Sequence, residues 1–439
     1  MNSRHAAKVF LLLAVGACAL AACGSSDGQQ IGAPIADAGA VDVARSVAFK
    51  DGLELGEAAV EGVDTHALAA LEAEAKAQHS DALLVVKNGK LVYEHYFDAA
   101  ENAPIVAMSA SKSFVSLAVG LALEDGKIKS LEQPAADFLD EWQADEQKKK
   151  ITVRHLLTHT SGIEITRGFP AAKNDNRVIF HEIASPMHTE PGATWQYSNT
   201  GIDLLAAVVS RATGKSLQAY MDERLFGPIG AQGAVWSVDA DGYALGAGDL
   251  TIRPIDMAKV GVLMLNGGTW NGQQLIPAAW VTESTTQSQS YNKLYGMLWW
   301  LTRDVQNYAL TEDILVQWKD AGLSDDELAR VRPQLGKTYS SEQACARASF
   351  QLLGQTAVEK LSKVALEIFH LDSSRAIDVG AVQNYAAQGW LGQFLVIDPV
   401  SKTVGVRMRA ARQSDYTDQS AEVDGFRDFP TQLMTLVAK

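Results

Sequence analysis

Cysteine is scarce in this chain: Cys18, Cys23 and Cys345 are the three among 439 residues. Basic residues are in deficit too, with 38 Lys and Arg against 52 Asp and Glu and a formal charge of -14. So acidic a body repels nucleic acid and excludes it as a partner. The acids are scattered rather than gathered in a tail, so the charge speaks for solubility. The apolar run Val9 to Leu20 is too short to span a bilayer comfortably. No repeat period is evident, and P-loop and His-Glu-x-x-His motifs are missing. With 47% hydrophobic residues, the chain can bury a large core, and general disorder is not expected.

What is present begins with an address. Arg4 and Lys8 precede the apolar run, and residues 1–22 read as a signal peptide. It ends in Leu20-Ala21-Ala22-Cys23, which resembles the lipobox of bacterial lipoproteins. That resemblance implies lipidation at Cys23, a membrane anchor and a place in the cell envelope facing the periplasm or exterior. Gly24 after the cysteine favours onward transport to the outer membrane. The alternative is an ordinary signal peptide with a chance cysteine. Residues 23–44, small and weakly patterned, read as a flexible tether. Loss of Cys18 and acylation of Cys23 leave only Cys345, so no intrachain disulfide can form, and Cys345 reads as a buried structural thiol.

The folded part is expected from about Arg45. Ala82 to Val86 and Leu91 to Phe97 are β-favouring runs around Lys87-Asn88-Gly89-Lys90, a hairpin signal. From Ser111, apolar residues Phe114, Leu117, Ala118, Leu121 and Ala122 recur at helical spacing up to Gly126. Further helices are predicted over Val153 to His159, Gly201 to Ala212 and Pro254 to Leu265. Phe394 to Ile397 and Thr403 to Met408 read as strands, and Phe429 to Val437 as an amphipathic helix. The fold class is therefore α+β: an antiparallel sheet built from both ends of the chain, flanked by helices, plus a mainly helical subdomain over about 131–300.

The chemistry centres on Ser109-Ala110-Ser111-Lys112, a Ser-x-x-Lys opening a buried helix. Residues three apart share a helical face, so the amine reaches the hydroxyl, while the helix N-terminus offers free N–H groups. Burial lowers an ammonium pKa and lets Lys112 act as a base near neutrality. Ser290-Tyr291-Asn292-Lys293 has the same spacing without the helix, and serves as an internal control. In Tyr197-Ser198-Asn199, the phenol is a candidate proton relay whose pKa Lys112 would hold down, and Asn199 a candidate for orienting a substrate carbonyl or the Lys112 amine.

Taken together, these motifs resemble the serine β-lactamase and penicillin-binding-protein superfamily, nearest to class C β-lactamase-like esterases and 6-aminohexanoate-dimer hydrolases. The likeness runs from about Ala82 to Ser284 and again from Tyr385 to Met408. It includes Ile151 to Gly162, Asp249 to Gly268 and Gly389-Trp390-Leu391-Gly392-Gln393. It implies a β-lactamase/transpeptidase-like fold, an acyl-enzyme on Ser109, Lys112 as general base and Tyr197 as general acid/base. It further implies an oxyanion hole from the backbone N–H groups of Ser109 and Trp390, and substrate contacts at Asn199, Gly389 and Gly392. The reaction needs no cofactor and no metal, and the partner is a small ester or amide. Oligomeric state has no signature here.

Two departures matter. Ala387-Gln388-Gly389 stands where the family carries Lys-Thr-Gly or His-x-Gly. Losing that cation weakens the β-lactamase and D-alanyl-D-alanine carboxypeptidase alternatives. The second departure is an extra stretch over about 302–384 with a Ser324 to Glu327 capping box, expected as a helical lid or wall by the cleft, or else a distal decoration. It also leaves open a lipoprotein binding module with little turnover. His155 and His159 read as fold-shaping rather than metal ligands, and Trp299-Trp300 as cleft lining or core.

Overall fold

A computed structural model describes residues 47–97, 99–164, 175–368, 371–417 and 426–437. The signal peptide, Cys23 and the tether to residue 44 lie outside the described residues. Eight strands form the main sheet, in the order Phe49–Lys50, Leu53–Leu55, Lys90–Tyr96, Ala82–Lys87, Thr403–Met408, Gln393–Asp398, Arg375–Gly389, Trp300–Ala309. Every pairing is antiparallel except Leu53–Leu55 against Lys90–Tyr96. The first and last parts of the chain meet where Ala82–Lys87 pairs with Thr403–Met408.

Alternation explains why the central strands read as unbroken apolar runs: both faces are covered. Leu84, Val86, Leu395, Ile397, Val404 and Val406 face one core, which contains the helices Ser111–Glu124 and Pro254–Leu265. Leu83, Val85, Phe394 and Val396 face the other, with Thr65–Ala77 and Phe429–Leu433. The sheet is thus the middle layer of a sandwich. Gly261 lets the Pro254–Leu265 helix settle on it, since a Cβ there would lie 2.4 Å from Val404 Cγ1. The last helix is shorter than expected, giving way after Leu433 to a 3₁₀ turn at Met434–Leu436.

The stretch read as a helical insertion is helical only in its middle. Trp300–Ala309 and Arg375–Gly389 are strands of the main sheet that frame it. Their pairing carries several register shifts, and that irregularity hides a period-2 pattern in the sequence. Between them, helices Glu312–Asp320, Asp325–Val331, Glu342–Leu353 and Gln355–Ile368 close a separate apolar core around Ile314, Trp318, Val331, Cys345 and Leu361. Ser324 and Glu327 form the capping box. Cys345 is buried, with burial pushing its thiol up to about 11.

Candidate active site

Ser109 sits in the 3₁₀ turn Met108–Ala110 that runs straight into the helix Ser111–Glu124. Met108, just before it, has φ +49°, left-handed backbone that a long side chain rarely adopts. Such strain persists only where neighbours over-determine the turn. Here Ala107 N–H donates to Leu250 O at 2.7 Å, and Leu250 N–H donates to Ser111 Oγ at 3.1 Å. Ser113 Oγ donates to Leu298 O at 2.6 Å.

Lys112 is 1% exposed. Its amine lies 2.9 Å from Ser109 Oγ and donates to Ala247 O at 2.5 Å. Burial lowers its pKa to about 7, against the opposing pull of Asp203 and Asp249. Asp203 is itself raised by burial, although it accepts the Ala247 N–H at 2.8 Å and faces Lys112. Asp249 is raised by burial as well. Sequence reasoning missed both carboxylates. Asp203 left a trace, as an acid inside the apolar run Ile202 to Leu205.

Tyr197 joins the pair: its phenol is hydrogen-bonded with Ser109, and the Lys112 amine lies 4.8 Å from its ring centroid. Burial pushes the phenol well above its ordinary value, and the Ser109 bond works the other way. The expectation that Lys112 holds this phenol down is therefore corrected. The Tyr197 ring is boxed by His159 at 4.7 Å, Tyr295 at 6.4 Å and Trp300 stacked at 6.1 Å. The tryptophan pair divides, since Trp299 is fully buried against Tyr385 while Trp300 covers the phenol.

Asn199 begins the helix Asn199–Thr213, and its buried amide oxygen has no hydrogen-bond partner. Gly389 packs on the turn that holds Ser109 so closely that a Cβ would lie 2.5 Å from Ala107 O and 3.0 Å from Ala110 N. That contact brings the strand end carrying Trp390 against Ser109. Gly392, expected to touch substrate, is instead buried at φ +74°, and its carbonyl accepts Arg407 Nη1 at 2.9 Å. Its part is to shape the turn behind the site. Arg407, fully buried, also donates to Leu391 O, to Ser80 Oγ at 2.7 Å and to Gln78 O at 2.7 Å.

The remaining candidates separate cleanly. Ser290 is exposed and Lys293 Nζ bonds Ile377 O, so the second Ser-x-x-Lys takes no part in the Ser109 cluster. His159 uses both ring nitrogens, accepting Ser198 N–H at 3.2 Å and bonding Tyr295 Oη at 3.2 Å. His155 Nδ1 accepts the Thr152 N–H in a capping box. Among the described residues no His, Cys, Asp and Glu cluster could hold a metal. A cavity of about 460 Å³ lies between residues 193–194 and the first inserted helix, lined by Tyr291, Lys293, Glu312, Asp313 and Arg375 and by none of Ser109, Lys112 and Tyr197.

The chain that carries this cluster has counterparts among known proteins. The family model described as Beta-lactamase matches residues 68–413. The chain belongs to that family. Among its relatives, penicillin-binding protein 4* of Bacillus subtilis is 31% identical over 35% of this chain and 37% of its own length. Esterase EstB of Burkholderia gladioli is 29% identical over 40% and 51%, respectively. The 6-aminohexanoate-dimer hydrolase of Paenarthrobacter ureafaciens is 24% identical over 46% and 56%. The chain thus spans roughly a third to a little over half of these relatives. A beta-lactamase-like structure from Bacteroides dorei shares the fold at 16% identity, with TM-score 0.59 over 85% of this chain and 99% of the other.

Proposed function

We propose that this protein hydrolyses an ester or amide through an acyl-enzyme on Ser109. The observation that carries the reading is the convergence of three groups from two separate parts of the sequence: a hydroxyl, an amine 2.9 Å away on the same motif and a phenol from far along the chain bonded to the same hydroxyl. Neutral Lys112 accepts the Ser109 proton as the oxygen attacks the carbonyl carbon. The oxyanion forms facing the Ser109 and Trp390 N–H groups. Tyr197 gives its proton to the leaving group and recovers one through Lys112; water then attacks the acyl carbon with the same groups acting in reverse. Asn199 orients the substrate carbonyl or the Lys112 amine.

A linear substrate fits better than a β-lactam. Ala387, where penicillin-recognising relatives carry a cation, is fully buried in the core and offers no charge for a substrate carboxylate. The likeness to EstB and the dimer hydrolase supports the same class. A panel of p-nitrophenyl esters, short linear amides and fluorescent penicillin tests it. Turnover of esters or amides with no lasting penicillin adduct is expected; a stable penicillin adduct and no ester or amide turnover would reverse the assignment.

The base makes a pH prediction. Lys112 serves only when neutral, so kcat/KM should climb as it loses its proton, with a midpoint at about 7, and level off above. Asp203 and Asp249 share its field, so the limb belongs to the group of residues rather than to the amine alone. A midpoint near 10 would mean that Lys112 keeps its ordinary proton affinity, and the absence of any such limb would mean that it is not the base. The lipid anchor at Cys23 and the envelope location belong to this proposal too; mass analysis of membrane-extracted protein should find an acylated Cys23 as the first residue.

A further inference from the structure

The segment that carries Tyr197 has no regular structure of its own. Residues 193–198 form neither helix nor strand, so their backbone groups depend on partners from elsewhere. From one side, His159 supplies them: Gln196 N–H donates to His159 O at 2.9 Å and Ser198 N–H to His159 Nδ1 at 3.2 Å. From another, Tyr291 Oη donates to Gly192 O and Ala193 O.

The remaining support comes from the inserted helices and their return strand. Gln317, 3% exposed on the first inserted helix, donates through Nε2 to Trp195 O at 3.0 Å. Arg375 lays its guanidinium over the Trp195 ring at 4.8 Å. Asp313 holds that guanidinium at 2.6 Å and Asp372 at 2.6 Å, so the cation cannot swing away without unpairing two buried acids. Trp195 is fully buried and meets His159 and Tyr295 edge-on, at 5.9 and 5.6 Å. Those two rings also bound Tyr197. A second tie, His188 Nε2 to Asp320 Oδ1 at 2.8 Å, fastens the far end of the same helix.

We infer that the inserted module is a clamp on the proton relay, and that Gln317 and Arg375 are positioning residues that fix where the Tyr197 hydroxyl stands relative to the leaving group. The inference rests on the reading of Tyr197 as the leaving group's proton donor. Neither residue touches the reacting atoms. Both act through Trp195, two residues upstream.

A relay that is out of place hurts only substrates whose leaving group needs the proton. p-Nitrophenolate departs unaided, whereas an ethoxide must be protonated as it leaves. The experiment compares kcat/KM for p-nitrophenyl, phenyl and ethyl butyrate in the full chain, corrected for active sites by fluorophosphonate titration. The variants are Tyr197→Phe, Gln317→Leu and Arg375→Lys, the last keeping the charge between the two acids. In Gln317→Leu the ratio of ethyl to p-nitrophenyl ester activity should fall about tenfold or more, since small misplacements of catalytic groups have large effects on rate. Tyr197→Phe should show the same signature more strongly and Arg375→Lys more weakly.

A merely structural role lowers all three esters alike or removes active sites without changing the ratio, and either result in both clamp variants overturns the inference. Should Gln317→Leu fail to fold, Arg375→Lys decides. If Tyr197→Phe itself leaves the ratio unchanged, the reading of Tyr197 has failed and the clamp falls with it. If only Tyr197→Phe changes the ratio, the relay stands and the clamp alone is lost.

Discussion

Ser109→Ala should abolish fluorophosphonate labelling and lower kcat/KM on any ester the enzyme accepts by on the order of 10⁴-fold or more. On the proposed reading the hydroxyl forms the acyl bond, and alanine leaves Lys112 and Tyr197 with no hydroxyl between them to exchange a proton with. The fold should barely notice. Ser109 is half-buried at the mouth of the turn, and its loss opens no apolar cavity. The checks are intact-mass labelling, ester kinetics and thermal unfolding on the same preparation. Retained labelling in the alanine variant would place the nucleophile elsewhere, and the exposed Ser290 would be the next position to test.

Gly389→Val is expected to have the second-largest effect, for a steric reason. A Cβ at 389 would lie 2.5 Å from Ala107 O and 3.0 Å from both Ala110 N and Met108 Cβ, all in the turn that holds Ser109. These are backbone atoms and a Cβ that have no rotamer to yield. The strand must back away, taking the Trp390 N–H from the place proposed for the oxyanion. Loss of one such donor lowers kcat by about 10²- to 10³-fold, and the overpacking itself should destabilise by about 1–3 kcal/mol. Gly389→Ala should show the same pattern less severely. Kinetics at saturating ester, read beside the unfolding midpoint, separate the two effects. Wild-type kcat in a folded valine variant would mean that Trp390 is not an oxyanion donor.

The sequence made some of this architecture plain and hid the rest for physical reasons. Strong periodicity gave the Pro254–Leu265 helix its observed bounds, and Asn88-Gly89 placed the hairpin turn. Helix-face spacing foretold the contact between Ser109 and Lys112. Tyr197 needed the family resemblance, because its approach to Ser109 is a matter of tertiary folding that no local pattern encodes. The strands Trp300–Ala309 and Arg375–Gly389 were obscured by their register shifts, and were read as part of a helical insertion. Gly392 looked like a cleft residue by motif alone, but the motif does not say which way a carbonyl points. The Asp203 carboxylate interrupts an apolar helix face, a signal open to physical reading that went unused.

The inserted helices enclose an apolar core that shares no buried side chain with the sandwich beneath. A unit sealed in this way can loosen or be rebuilt without draining stability from the sheet that carries Ser109. Its ties toward the site are few: Gln317 and Arg375 at Trp195, and Asp320 at His188. Heat, ligands or mutations acting on the distant helices therefore have a route by which to dim or sharpen turnover while the nucleophile itself stays in place.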